Sequence, residues 1–194
     1  MRGESHIRLG LFLADHYLKG APVLCRRAFL LGCIQPDRNP ASYLKGSLRC
    51  RWFRGHNFEN AEPAIARFVR RLCKKDALGL WDYYTAGKLI HYTADAFTYA
   101  HNAAFSGSLK MHLAYETDLQ HCFLSFLEAS PGIPQAVSLP LWDLIPAWHW
   151  EYLRQGPGVD CDCRFIFSVC CQMTEGLFSR SHLQNMKRCH FLRA

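Results

Sequence analysis

Two side-chain pairs, His91 with Asp95 and His112 with Glu116, constrain this fold more than any other feature of the chain. Each has the i, i+4 spacing that puts both side chains on one face of an α-helix, one turn apart. With His101 between them, the stretch reads H-x3-D-x5-H-x10-H-x3-E. A single pair of this kind is commonly a surface ion pair. Here the pair is repeated, and Leu89, Ile90, Tyr92, Ala94, Ala96 and Phe97 make the first helix mostly apolar around it. Charged groups are seldom buried without a partner or a metal. Imidazole plus carboxylate suits Zn²⁺, particularly where three protein ligands leave a position open for water. The chain is therefore expected to set two helices side by side across a shared metal cavity.

The remaining segments are also helical in pattern. Ser5 is placed to cap a first helix that runs to Lys19 and closes at Gly20. Pro22 opens a second helix to about Cys33, and Pro36 ends it, exposing Asp37 in the loop that follows. Residues 35–58 read as a loop rich in Pro, Gly and Arg. A third helix spans about Glu59 to Lys75, with Ala64, Ile65, Phe68, Val69 and Leu72 at helical spacing. The fourth, Leu80 to Ala100, carries the first pair, and the fifth, Ser108 to Ala129, carries the second. Pro131, Gly132 and Pro134 mark a connector. A sixth helix lies between Leu141 and Arg154, a seventh spans Cys161 to Phe178, and residues 180–194 form a basic tail. Strand-type alternation is scarce. The expectation is an all-α, single-domain bundle of about seven helices over residues 1–194, with a metal cluster between helices.

Three upstream residues extend the ligand set: His6 near the start of the first helix, Asp37 in Gly32-Cys33-Ile34-Gln35-Pro36-Asp37, and His56 in Arg54-Gly55-His56-Asn57-Phe58. Taken in order, an N-terminal His, a Pro-Asp after the second helix, a Gly-His loop, His-x3-Asp, His and His-x3-Glu, the motifs resemble the zinc-dependent phospholipases C. That family is similar in architecture to the zinc-dependent single-strand nucleases. The resemblance covers residues 5–117 with specificity. It implies that Asp37, His56, His91 and Asp95 hold one zinc, that His101, His112 and Glu116 hold a second, and that Asp95 bridges to a third shared with His6. The activity implied is hydrolysis of a phosphodiester, first of all a phospholipid, by a metal-bound hydroxide, with Asp37 or a water it orients taking a proton. A nuclease-type phosphodiesterase and a non-enzymatic metal-binding protein are the alternatives.

The chain also departs from the family. Secreted members begin with a Trp whose amino group and carbonyl chelate the third zinc, whereas this sequence opens Met1-Arg2-Gly3-Glu4. Ala94, Tyr99 and Asn102 stand where the family's pattern around the first pair differs. Two zinc ions are therefore expected, and a third only if its site is completed differently.

Composition bounds the remaining choices. At 194 residues, 49% hydrophobic and 20% charged, the chain is globular and long enough for a substantial core. It contains no uncharged apolar run of about 18 residues that could span a bilayer. Arg8, Asp15 and His16 interrupt any signal-peptide core, so the expected location is cytoplasmic. Cys25, Cys33, Cys73, Cys122, Cys170 and Cys171 lie in apolar helical stretches, where reduced thiols act as small hydrophobes. Asp160 or Asp162 is expected to cap the last helix. A net charge of +7, with Arg26, Arg27, Arg38, Arg49, Arg51, Arg54, Trp52 and Phe53 near Asp37 and His56, fits an anionic phosphodiester. Phospholipid with peripheral membrane contact is ranked ahead of nucleic acid, and no motif sets an oligomeric state.

Overall fold

A computed structural model describes residues 1–38, 58–129, 131–135, 141–156 and 158–191. Among these, seven α-helices and no strands are present: α1 (Gly3–Tyr17), α2 (Val23–Arg38), α3 (Phe58–Cys73), α4 (Leu80–Ala96), α5 (Leu109–Glu128), α6 (Leu141–Gln155) and α7 (Val159–Phe191). A short 3₁₀ turn, Tyr99–His101, separates α4 from α5. The all-α single-domain bundle expected from the sequence is what the chain forms.

Helix α4 is the central element, packed against α1, α2, α3 and α7. It is buried around most of its circumference, from Thr85, Ala86 and Leu89 to His91, Ala94 and Asp95. A helix apolar on every side belongs inside a bundle rather than on its surface. Its closest neighbour is α2, and two glycines set that distance. A Cβ built on Gly32 would run into the Tyr84 carbonyl, and one on Gly87 into the Phe29 carbonyl. Phe29 thus lies beside Gly87 and Cys33 beside His91, so the two helices run in the same direction. The start of α4 is fixed by Asp82, which accepts from the Gly79 amide at 3.0 Å and from Lys75 Nζ at 2.7 Å.

Several boundaries differ from the sequence reading. Ser5 does not cap α1, because the helix starts earlier and Ser5 is buried within it. Pro36 does not end α2. The helix continues to Arg38, and Asp37 sits in its last turn with a side chain 24% exposed. Proline there removes only the single amide that would have reached the Gly32 carbonyl, a loss a final turn tolerates. Helix α4 ends at Ala96 rather than Ala100, which places His101 on its own turn. Ser108, read as the first residue of the fifth helix, lies just before α5 as its N-cap, accepting from the Met111 amide at 3.4 Å. Neither Asp160 nor Asp162 caps α7, since both lie inside it and Asp162 is fully buried. Helix α7 also runs past Phe178 to Phe191. Cys33, Cys170 and Cys171 are free, buried thiols, and burial pushes Cys171 up to about 12, as inert core cysteines require.

Asn102 locks the segment after α4. Its Nδ2 donates to the Ala96 and Thr98 carbonyls at 3.2 and 2.8 Å, so its Oδ1 is the acceptor for His149 Nε2 at 2.7 Å. His149 is stacked on Phe58 with ring centroids 3.5 Å apart, and burial pushes it down to about 4. In the unfolded chain the same imidazole takes a proton below its ordinary value near 6.5, while the folded chain resists until about pH 4. Stability from this group is therefore present above pH 6.5 and lost as the pH falls toward 4. Between pH 6.5 and 5 the loss should be about 2 kcal/mol. His149→Gln keeps the donor to Asn102 and cannot titrate. Urea unfolding of the chelator-treated chains at the two pH values should show a flatter response in that variant, and equal slopes would remove His149 as a cause.

Candidate metal centre

Helix α4 brings His91 and Asp95 into the middle of the bundle, where both are fully buried. His91 Nδ1 lies 2.8 Å from the Cys33 carbonyl, to which it can only donate. Its Nε2 therefore faces two acids, Asp95 Oδ2 at 3.3 Å and Asp37 Oδ1 at 3.5 Å. Such a nitrogen needs either a proton or a cation. Burial opposes the charge, but Asp95 and Asp37 overcome it and His91 is pushed upward. A backbone carbonyl holding one imidazole nitrogen so that the other points at a metal position is a common arrangement in metal sites.

His6 reaches the same place from α1, stacked on His91 with ring centroids 3.8 Å apart. Burial, and then the adjacent His91, push it down to about 4, so it is neutral. Its Nε2 lies 3.2 Å from Asp95 Oδ1 without hydrogen-bond alignment, and so it is a buried imidazole nitrogen with no hydrogen bond. Buried polar atoms left in that state are rare and call for a reason.

The second pair closes the other side. His101, on the 3₁₀ turn, places Nε2 2.9 Å from Glu116 Oε1 and Nδ1 3.8 Å from Asp95 Oδ1. His112 Nε2 is 3.7 Å from Glu116 Oε1, and the His101 and His112 rings stack at 5.2 Å. Two groups of donors result, His6 with His91 and Asp95, and His101 with His112 and Glu116. Within each group the candidate ligand atoms lie within 4.8 Å of one another. The two pairs read from the sequence are thus joined, with Asp95 at the junction. Asp37 lies against His91 but outside these two groups. His56, with Arg49, Arg51, Arg54, Trp52 and Phe53, lies outside the described residues.

A positive charge already sits between the two carboxylates. The Met1 amine is 2.9 Å from Asp95 Oδ1, 3.0 Å from Glu116 Oε1 and 3.1 Å from His101 Nε2. Burial works against this ammonium, yet Asp95 and Glu116 push it up to about 10. It stands here for the positive charge that a divalent cation would supply. Asp95 is correspondingly held well below the carboxylate range: burial opposes its charge, and the amine, His101, His91 and His6 prevail. Glu116 is also held below that range, where hydrogen bonds from His101 and His112 outweigh burial. His101 Nε2 contacts both a donor and an acceptor, the amine and Glu116, and a neutral imidazole nitrogen can satisfy only one of them. The orphaned His6 nitrogen, the His91 nitrogen facing two acids and the overcommitted His101 nitrogen all fit a zinc ligand set.

Sequence reasoning missed two contributors. Asn102 and Tyr115 sit directly beside His101 and Glu116, but their partners, His149 and Asp162, are remote in sequence. No helix among the described residues is long and apolar enough to cross a membrane.

The chain matches the zinc-dependent phospholipase C family over residues 5–157. No curated protein and no solved structure matches it. Each ligand position singled out in the sequence, from His6 to Glu116, falls inside the matched stretch. With most of its length so covered and its imidazoles and acids gathered around Asp95, this chain belongs to the zinc-dependent phospholipase C family.

Proposed function

We propose that the protein is a zinc-dependent phosphodiester hydrolase whose substrate is a phospholipid. The observation that carries this reading is the position of Asp95, a fully buried carboxylate with one oxygen toward His91 and the other toward His6 and His101. That geometry suits a carboxylate shared between neighbouring cations. His6, His91 and Asp95 would hold one zinc ion, and His101, His112 and Glu116 a second. Asp37 lies close enough to His91 to contribute to the first group. Zinc held there would polarise a phosphoryl oxygen and lower the pKa of a water.

The chain's own residues have separate tasks. The Cys33 carbonyl keeps His91 in one tautomer. The apolar residues of α4 exclude bulk water from Asp95 and strengthen its field. Asp37 is partly open to solvent and beside the centre, so it is placed to accept a proton from an attacking water. Leu109 and Leu113 are 73% and 56% exposed on the helix that presents His112. On a helix they fall beside the His112 and Glu116 face, an apolar border suited to a lipid. A phospholipid, the substrate class of the zinc-dependent phospholipase C family, agrees with that border.

Metal analysis and assay together test this reading. The purified chain should carry zinc, hydrolyse a phospholipid, lose that activity to a chelator and regain it with added zinc. Activity confined to a single-stranded oligonucleotide would redirect the substrate class, and a chain that takes up no zinc would end the proposal. His112→Ala should remove the ion of the second group and spare the first, because His112 is the more exposed ligand and its contacts within the centre, with Glu116 and the His101 ring, stay inside the second group. Simultaneous loss of all metal would show that the two groups are one inseparable site.

A further inference from the structure

Asp162 lies beyond the stretch that matches the family and is fully buried. It is the fourth residue of α7, far in sequence from every proposed ligand. Its Oδ2 accepts from the Tyr99 amide at 2.8 Å and from the Tyr115 hydroxyl at 2.8 Å. Its Oδ1 accepts from the Tyr152 hydroxyl at 2.6 Å. Each donor matters for where it sits. Tyr99 opens the 3₁₀ turn that ends in His101, and the N-cap of that turn, Thr98, offers no side-chain cap. Tyr115 precedes Glu116 and lies one turn beyond His112 on α5. One carboxylate therefore caps the turn presenting His101 and anchors the helix presenting His112 and Glu116.

We propose that Asp162 is a positioning residue of the metal centre, fixing His101 relative to His112 and Glu116 so that the three present one preformed ligand set. The inference rests on the reading that these three hold zinc. Burial pushes the Asp162 carboxyl up to about 6, against the hydrogen bonds from Tyr152, Tyr99 and Tyr115. A solvated carboxylate would serve as well for solubility alone. Burying a carboxylate is costly unless its oxygens are hydrogen-bonded, and a buried network satisfied in this way holds its members rigidly. Tyr152, on α6, adds the third side and ties the arrangement to the aromatic packing of Phe97 and Phe165. The second group of ligands, which is the more exposed of the two, is thereby given a rigid base.

Cobalt-substituted and zinc-loaded protein can separate positioning from mere support. Asp162→Asn turns one acceptor into a donor facing Tyr99 N–H or a tyrosine hydroxyl. Tyr115→Phe removes a single bond on the side of Glu116. Both variants should weaken one of the two ions roughly tenfold or more in chelator competition and shift its cobalt absorption, while the other ion stays at wild-type affinity. Val69→Ala, a buried change on α3, which carries no proposed ligand, serves as the stability control. It should lower the melting temperature and leave both affinities unchanged. If Asp162→Asn fails to fold, Tyr115→Phe still gives the reading. Variants that melt lower but keep wild-type affinity and spectrum for both ions would overturn the inference alone. A wild-type chain that binds no zinc would overturn the proposed function and this inference together.

Discussion

Asp95→Asn is expected to lower kcat/KM on a phosphodiester by on the order of 10³-fold, since metal ions contribute several kcal/mol to such reactions. Asn matches the volume of Asp and can still accept from one side, so the buried space stays filled. It cannot carry the charge that draws the Met1 amine, His6, His91 and His101 toward one point. Zinc content should fall with activity, because both donor groups meet at this carboxylate. Helix content by circular dichroism should hold, since α4 is fixed along its length by Ala86, Gly87, Leu89 and Ile90 rather than by its last turn. Normal turnover by this variant would remove Asp95 from the centre and with it the shared-carboxylate arrangement.

Gly87→Ala should produce the largest loss of stability from one added methyl group. In an ordinary helix interior this change is favourable by up to about 1 kcal/mol. Here the new Cβ would meet the Phe29 carbonyl and crowd the Cys33 amide at 2.9 Å, both of them backbone atoms that cannot rotate away. Overpacking of this kind costs about 3 kcal/mol, enough to reverse the propensity gain. The damage should reach the metal centre as well. Separating α2 from α4 pulls the Cys33 carbonyl from His91 Nδ1, and Asp37 from His91 Nε2. Urea unfolding should show a lower midpoint with an unchanged slope, and zinc affinity should fall. A midpoint equal to or above that of the native chain would mean that the helices do not meet where these glycines are.

How much of this was legible beforehand depended on the range of each signal. Ile65, Val69 and Leu72 repeat at helical spacing and are buried on α3 as that spacing requires. The two i, i+4 pairs were readable for the same reason. Pro36 misled because its effect depends on position. In a final turn it removes one hydrogen bond, and packing of α2 on α4 carries the helix through to Asp37. Asp162 misled because N-cap residues and buried acceptors are the same residue types, and only the approach of Tyr99, Tyr115 and Tyr152 tells them apart.

From its sequence alone the chain declares an all-helical fold and two His–carboxylate pairs that each share a helix face, because helical periodicity and i, i+4 spacing are short-range consequences of backbone geometry. Only the folded molecule decided that His6 lies on His91, that Asp95 stands between the two pairs, and that Asp162 braces the second of them. Those relations join residues dozens of positions apart. They follow from which helix faces pack together, and above all from how closely two glycines allow α2 to approach α4.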